Sequence, residues 1–361
     1  MGMQIDGSLL HSASLFPYSR VVMIGRVIGS ILAIVVGVLL AVALWPQAIG
    51  VERTIGVAWV VAFRGAAAVA AAVLAVVFIG LALLMRFTRP FTALVAIFLV
   101  AFAGAQVWIL SARGWANPMF PPASPETVTV LTWNTLGGEP TTRVIADLAI
   151  ETEADVVSLP ETTAAQAAEV VQLLAESGIH MQEFTLAYGE DYAARSTSLL
   201  ISTALGPYTS DTVSTTTARL PSVIAVPESG AGPRFIAAHA YTPLASDLST
   251  WAGDLEWLAD QCLEPNTIIA GDFNSTIDHW ASLAGPEPGS DLGECRDAAH
   301  EVGMAALGTW PTLLPPILGA PIDHIIATPE WEAVGFRVIG SVDGSGSDHR
   351  PVLARFAPAG S

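Results

Sequence analysis

Residues 267–274 read Thr267-Ile268-Ile269-Ala270-Gly271-Asp272-Phe273-Asn274. The β-branched, apolar first half predicts a buried strand over Thr267–Ala270, and the polar groups after it stand where a β-rich scaffold presents chemistry. Asp272 and Asn274 are two residues apart, so in extended chain their side chains point the same way. The same pattern recurs outward in both directions. Asn134 follows an apolar run ending in Trp133, Glu161 follows Leu159-Pro160, and His239 ends Phe235-Ile236-Ala237-Ala238. Asp323 lies in Pro321-Ile322-Asp323-His324-Ile325, and Asp348 and His349 lie in Ser347-Asp348-His349-Arg350-Pro351. Hard oxygen donors with few sulfurs favour Mg²⁺ or Mn²⁺ over zinc.

Around these positions short β-branched runs alternate with helical stretches. Strands are predicted at Thr127–Trp133, Asp155–Leu159, Ser198–Ser202, Val223–Val226, Arg234–His239, Thr267–Ala270, Ile322–Ala327, Phe336–Ile339 and Val352–Phe356. Helices fit Thr142–Glu151, Thr163–Ser177 and Ser246–Cys262, the last with Leu248, Trp251, Leu255, Leu258 and Cys262 on one apolar face. This pattern predicts an α/β domain of two face-to-face β-sheets flanked by helices.

Composition adds a membrane part. The 361 residues are 52% apolar and 13% charged, with a mean hydropathy of +0.54, too apolar for an ordinary soluble enzyme. Three uncharged runs, Val27–Val51, Gly65–Met85 and Pro90–Ala112, hold 25, 21 and 23 residues, and about 20 suffice to cross a bilayer core. Residues 1–112 carry six arginines and two acids, net +4; the remainder carries nine arginines and 31 acids, net −22. That split excludes a disordered acidic chain and a basic nucleic-acid-coating protein.

Arg20 and Arg26 precede the first span and Arg86 and Arg89 stand between the second and third, which assigns both to the cytoplasm. Arg53, Arg64 and Arg113 fall on the other side. Three spans then place everything after Ala112 outside. Ala41-Val42-Ala43 also resembles a signal-peptidase site; cleavage there would leave a hairpin of two spans and the same placement. The domain order is a cytoplasmic tail over 1–20, three transmembrane helices over 21–112, a proline-rich linker over 113–125 and the α/β domain over 126–361. The only two cysteines, Cys262 and Cys295, lie in the external part. They invite a disulfide, which needs an oxidising compartment; the alternative is two unrelated buried thiols.

Taken in order, Trp133-Asn134, Glu161, His239, Gly271-Asp272-Phe273-Asn274, Ile322-Asp323-His324 and Ser347-Asp348-His349 resemble the endonuclease/exonuclease/phosphatase superfamily. Thr309-Trp310-Pro311 also resembles bacterial members. The resemblance covers 127–357 and implies a DNase I-like α/β sandwich. It implies Glu161 as main metal ligand with Asn134 and Asp348 beside it, and Asp272 as the group that orients and deprotonates water. Asn274 would hold the phosphate or that nucleophile, and His349 would hydrogen-bond the phosphoryl oxygens with its tautomer fixed by Asp323. His239 would be a second phosphate contact or a general acid. Leu159-Pro160 departs from the family, where a polar Gln often precedes the metal-binding Glu.

The three-span anchor on such a domain resembles the glycopeptide (teicoplanin) resistance membrane proteins of actinobacteria. It implies a membrane-anchored, extracytoplasmic, Mg²⁺- or Mn²⁺-dependent phosphodiesterase or phosphatase whose partners are the lipid bilayer and a lipid-linked or cell-envelope phosphate. The alternatives are a surface-anchored nuclease and a catalytically degenerate binding protein. Outside the motifs, His324 reads as a packing or strand-end residue, His180, His279 and His300 as surface or core histidines, and Arg195 and Arg219 as solvated surface, the alternative being loops that face the phosphate. Arg350 stands close enough to Asp348-His349 to reach an anionic substrate, and the acids in Glu183–Asp191 read as a solvated face.

Overall fold

A computed structural model describes residues 16–115, 120–189, 192–211 and 213–360, with side chains from Met23 onward. Most of the predicted cytoplasmic tail, residues 116–119 of the linker, and Glu190 and Asp191 of the acidic stretch lie outside the described residues. The chain divides into two units, one ending at Trp45 and resuming over Ala67–Val107, the other made of Pro46–Ala66 and Trp108 onward.

The first unit consists of helix α1 (Phe16–Leu44) and most of two later helices, α3 (Arg64–Leu84) and α4 (Arg89–Arg113). A short helix, α2 (Val57–Ala62), precedes α3. Met23–Leu44, Arg64–Leu84 and Arg89–Arg113 are each long and apolar enough to cross a membrane. Their side chains are predominantly apolar on every face, as a helix in lipid requires, and the polar Thr92 and Gln106 of α4 are buried. Glycine lets these helices approach: a Cβ at Gly37 would stand 2.8 Å from the Phe98 ring.

The second unit is the α/β domain. Its strands are β1 (Val128–Thr132), β2 (Val156–Pro160), β3 (Met181–Ala187), β4 (Ser196–Ser202), β5 (Tyr208–Ser210), β6 (Val223–Pro227), β7 (Arg234–His239), β8 (Thr267–Asp272), β9 (Arg296–Asp297), β10 (Asp323–Ala327), β11 (Trp331–Val338) and β12 (Val352–Pro358). Helices α5 (Thr142–Glu151), α6 (Ala164–Glu176), α7 (Leu248–Gln261) and α8 (Ala298–Glu301) lie between them. Two six-stranded mixed sheets form, in the orders β11-β12-β1-β2-β4-β3 and β5-β6-β7-β8-β10-β9.

Strand alternation divides the apolar residues among three layers. Val130, Val156 and Leu199 of the first sheet meet Phe235, Ile268 and Ile325 of the second in the central core. Their chain neighbours Leu131, Val157 and Leu200 point outward beneath α5 and α6, and Ile236 and Ile269 point outward beneath α7. Each helix has a reason to start where it does. Thr141 caps α5 by accepting from the Val144 N–H, and Thr163 with Gln166 forms a capping box on α6. Trp251, Leu255 and Leu258 of α7 are fully buried, as their spacing predicts.

Three strands escape the sequence pattern. Strand β3 is an edge strand with half-buried, partly acidic residues, so Glu183, read as part of a solvated face, belongs to a sheet. Strands β5 and β9 are three and two residues long, too short for a period.

Cys262 and Cys295 form a disulfide across 33 residues, fully buried against α7. Replacing both by alanine is expected to lower stability by about 3–4 kcal/mol in the chain-entropy account, measured by denaturant unfolding of the intact chain. Free thiols at both positions in protein taken from cells would contradict the disulfide.

Candidate active site

Register brings the polar residues together. In the second sheet His239 is paired with Asp272, and Asp272 with Asp323, so β7, β8 and β10 present three polar side chains in one row at one sheet end. In the first sheet Asn134, Glu161 and His349 lie just past the paired ends of β1, β2 and β12, where Thr132 faces both Ser158 and Val352. Because the sheets are stacked, the two rows face each other. Gly271 lets β7 and β8 approach beside the row: a Cβ there would stand 1.9 Å from the Ala238 carbonyl oxygen.

Two of the polar residues sit in strained backbone. Glu161 has φ +60° and Asn274 has φ +46°. Asn tolerates that region, whereas Glu adopts it at a cost of order 1–3 kcal/mol, a strain that clusters at functional sites. Thr135 steadies the Glu161 turn, its hydroxyl donating to the Glu161 carbonyl at 2.8 Å.

The side chains form one network. Asn134 Nδ2 donates to Glu161 Oε1 at 3.1 Å and to Asp272 Oδ2 at 3.0 Å. Asp272 Oδ1 accepts the Asn274 backbone N–H at 2.8 Å, and Asn274 Nδ2 donates to the Ala240 carbonyl at 3.0 Å. His349 Nδ1 bonds Asp323 Oδ2 at 2.9 Å, which leaves Nε2 pointing between Asp272 Oδ2 and Asp348 Oδ1, each 3.8 Å away. His239 Nε2 stands 3.9 Å from Glu161 Oε1. All eight sequence-predicted residues therefore converge on one place.

Burial and charge set the protonation states. Burial would lower His349, but the carboxylates of Asp323 and Asp272 outweigh it and raise the imidazole well above its ordinary range. Burial raises Asp272, assisted by the charge of Asp323 and opposed by His349. Burial also raises Glu161, opposed by the Asn134 hydrogen bond. His239 is pushed down to about 3, by burial and then by the charge of His349, so it is neutral at ordinary pH.

The cluster fits a hard divalent cation. Four carboxylates surround one imidazolium, and Asp348 Oδ1 is buried with no hydrogen-bond partner among the described residues. Asp272, Asp323 and His349 each offer a ligand atom within 4.8 Å of one another. Asp323, however, already accepts from His349 Nδ1 through both oxygens, at 3.1 and 2.9 Å. The freer donors are Asp348 Oδ1 and Glu161.

Other residues separate from the site. Arg350, read as within reach of an anionic substrate, is buried and turned away: it donates to Asp343 at 2.6 Å and to the Thr312 and Leu314 carbonyls. His324 packs in the core, bonded to Asp297 at 2.7 Å. Arg219 is exposed beside Asp247. Trp310 joins the site unpredicted, its indole N–H donating to Asp348 Oδ2 at 2.8 Å. So does the segment between α1 and α3, whose Ala58, Trp59, Ala62 and Phe63 line the same cavity of about 530 Å³ as Glu161, His239, Asp272, Asn274, Asp348 and His349. Only a Trp-Pro motif hinted at the first, and no local signal marked the second.

A humanized D. rerio TDP2 with 14 mutations shares this fold: 18% identity, TM-score 0.51, over 64% of this chain and 99% of that one. Endonuclease/exonuclease/phosphatase proteins from Bacteroides vulgatus (15% identity, TM-score 0.47, 64% and 99% covered) and Beutenbergia cavernae (19%, 0.45, 65% and 72%) are also similar. No curated protein sequence matches. Residues 131–349, more than half the chain and all eight converging side chains, match the Endonuclease/Exonuclease/phosphatase family, so the chain belongs to that family of metal-dependent phosphoester hydrolases and nucleases.

Proposed function

We propose that this protein is a membrane-anchored, extracytoplasmic phosphodiesterase or phosphatase that uses Mg²⁺ or Mn²⁺ to hydrolyse a lipid-linked or cell-envelope phosphoester. The observation that carries this reading is the facing pair of polar rows, His239, Asp272 and Asp323 on one sheet and Asn134, Glu161 and His349 on the other, joined by the Asp323–His349 and Asn134–Asp272 hydrogen bonds.

Each side chain has a role that its surroundings support. Glu161, Asp348 and the Asn134 amide would hold the cation, which when bound spreads the charge that develops on the phosphoryl oxygens. Asp272, kept basic by burial, orients the attacking water and takes its proton. Asn274 fixes Asp272 through its backbone N–H and its Nδ2, which leaves its side-chain oxygen to hold the nucleophile. Asp323 fixes His349 with Nδ1–H donating, so Nε2–H is left to bind a phosphoryl oxygen. His239, being neutral, suits a phosphate contact better than a general acid.

Charge argues for lipid over nucleic acid. A nuclease neutralises several phosphates with cationic side chains, whereas residues 113–361 are net −22 and, among the described residues, no Arg or Lys lines the cavity. The intact chain in liposomes, supplied with Mg²⁺, is expected to cleave phospholipid or polyprenyl phosphoesters faster than single-stranded or duplex DNA at equal phosphate concentration. Efficient cleavage of DNA with every lipid phosphoester untouched would establish the nuclease reading instead.

A further inference from the structure

The segment joining the first two spans belongs structurally to the α/β domain, and its hold there is specific. Asp278, itself buried, receives Arg64 Nη2 at 2.6 Å, Arg113 Nη2 at 2.7 Å and Gln47 Nε2 at 2.7 Å. Arg64 opens the second span and Arg113 ends the third. Along the segment, the Ala58 carbonyl meets His279 Nε2 at 3.0 Å, and Trp59 Nε1 donates to the Pro243 carbonyl at 3.2 Å. Phe63 packs on Trp310, ring centroids 5.7 Å apart, and Trp310 in turn holds Asp348.

The fixed segment places an apolar wall above a charged floor. Trp59 is 44% exposed and Leu244, next in the chain to the Pro243 that Trp59 bonds, 45%, although both line the cavity that Asp272 and His349 line. Apolar side chains held open beside a polar site are stabilised by an apolar ligand that covers them. A nucleic acid would offer bases to Trp59 but would bring adjacent phosphates to a cavity that, among the described residues, no Arg or Lys lines. A hydrocarbon chain carries no such charge. Sequence continuity also joins this wall directly to two membrane spans.

We propose that α2 and Phe63 form the specificity wall of the active site, with Trp59 and Phe63 receiving the hydrocarbon chain of an amphiphilic phosphoester whose phosphate lies among Asp272, His349 and Glu161. The proposal rests on the hydrolase reading and names its substrate class. Trp59 and Phe63 select by contact with the chain, not by acting on the phosphate.

The test compares hexadecyl p-nitrophenyl phosphate with methyl p-nitrophenyl phosphate, which carry the same leaving group and differ in the chain alone. The full-length protein in detergent with Mg²⁺ is expected to show a higher kcat/KM for the hexadecyl ester. That preference should fall at least about tenfold in Trp59→Ala/Phe63→Ala. Trp59→Ala and Phe63→Ala, measured separately, should each lower it in part, and Trp59→Phe should largely keep it. Because both esters are read on the same preparation, a general loss of fold does not move the ratio, and the single variants stand if the double does not fold. Equal handling of both esters by the wild type, or a preference unchanged in every variant, overturns the specificity wall while leaving the hydrolase reading intact. Failure of the wild type to cleave either ester counts against the hydrolase reading itself. Loss of single-stranded DNA cleavage in the variants, with the ester ratio unmoved, overturns the wall in favour of base stacking.

Discussion

Asp272→Ala, Glu161→Ala and His349→Ala are each expected to lower turnover by at least ~10²-fold, with the chain still folded. The magnitude follows from what each removal takes away: a base placed against water, a ligand of the cation, and a charged donor aimed at the developing oxyanion, any one of which contributes roughly two orders of magnitude. The effects should not add, because the three act on one transition state and share partners: Asn134 bridges Glu161 and Asp272, and Asp272 faces His349 at 3.8 Å. Asp323→Asn separates orientation from charge. It leaves a side chain of similar shape beside Nδ1 but removes the carboxylate that keeps His349 charged, so activity should fall most above neutral pH. Steady-state rates against one phosphoester across pH 5–9 check both points. Full activity in Asp272→Ala would remove the base from the account.

Asp278→Ala is expected to destabilise the domain by roughly 3–5 kcal/mol, the usual result of leaving buried charge without its partner. Arg64 is 3% exposed and Asp278 2%, so water cannot replace the lost carboxylate. Burial alone would raise the Asp278 pKa, but Arg113 and Arg64 overcome it and hold the carboxyl well below the ordinary carboxylate range. A lowered folded-state pKa means the stabilisation is complete above the unfolded value of about 3.9 and is lost as pH falls further. Thermal unfolding of the full chain in detergent should therefore show the wild type weakening below about pH 4 and Asp278→Ala already weakened at pH 7. Equal melting temperatures at pH 7 would mean that the cluster holds nothing in place.

How legible this was depends on whether each feature is local. The strands that carry the site could be read because each is a short buried run with a polar residue at its end, as in Thr267–Asp272 and Arg234–His239, and Thr142–Glu151 matches its helix residue for residue. The order of motifs identified the family because each has its own local composition. What stayed hidden depends on long-range placement. The Asp278 cluster joins residues up to 231 apart in sequence, and Asp278 lies in a stretch with no motif. Arg64 and Arg113 looked like topology markers, which is how charges at span ends usually read; their grip on Asp278 needed the tertiary fold. Trp59 and Phe63 sit in an apolar segment between two longer ones and carry no period of their own. Arg350 misled for the opposite reason: next to Asp348-His349 in sequence, it points away because Asp343 and the Thr312 and Leu314 carbonyls hold its guanidinium elsewhere.

The most direct test of a metal-centred phosphoester hydrolase is the rate of p-nitrophenolate release from hexadecyl p-nitrophenyl phosphate by the full-length protein, before chelation, after EDTA and after Mg²⁺ is restored. The account predicts that EDTA lowers the rate by at least ~10²-fold, as loss of a cation that stabilises transition-state charge should, and that Mg²⁺ or Mn²⁺ restores it in the wild type but not in Glu161→Ala. Undiminished hydrolysis in EDTA would contradict it.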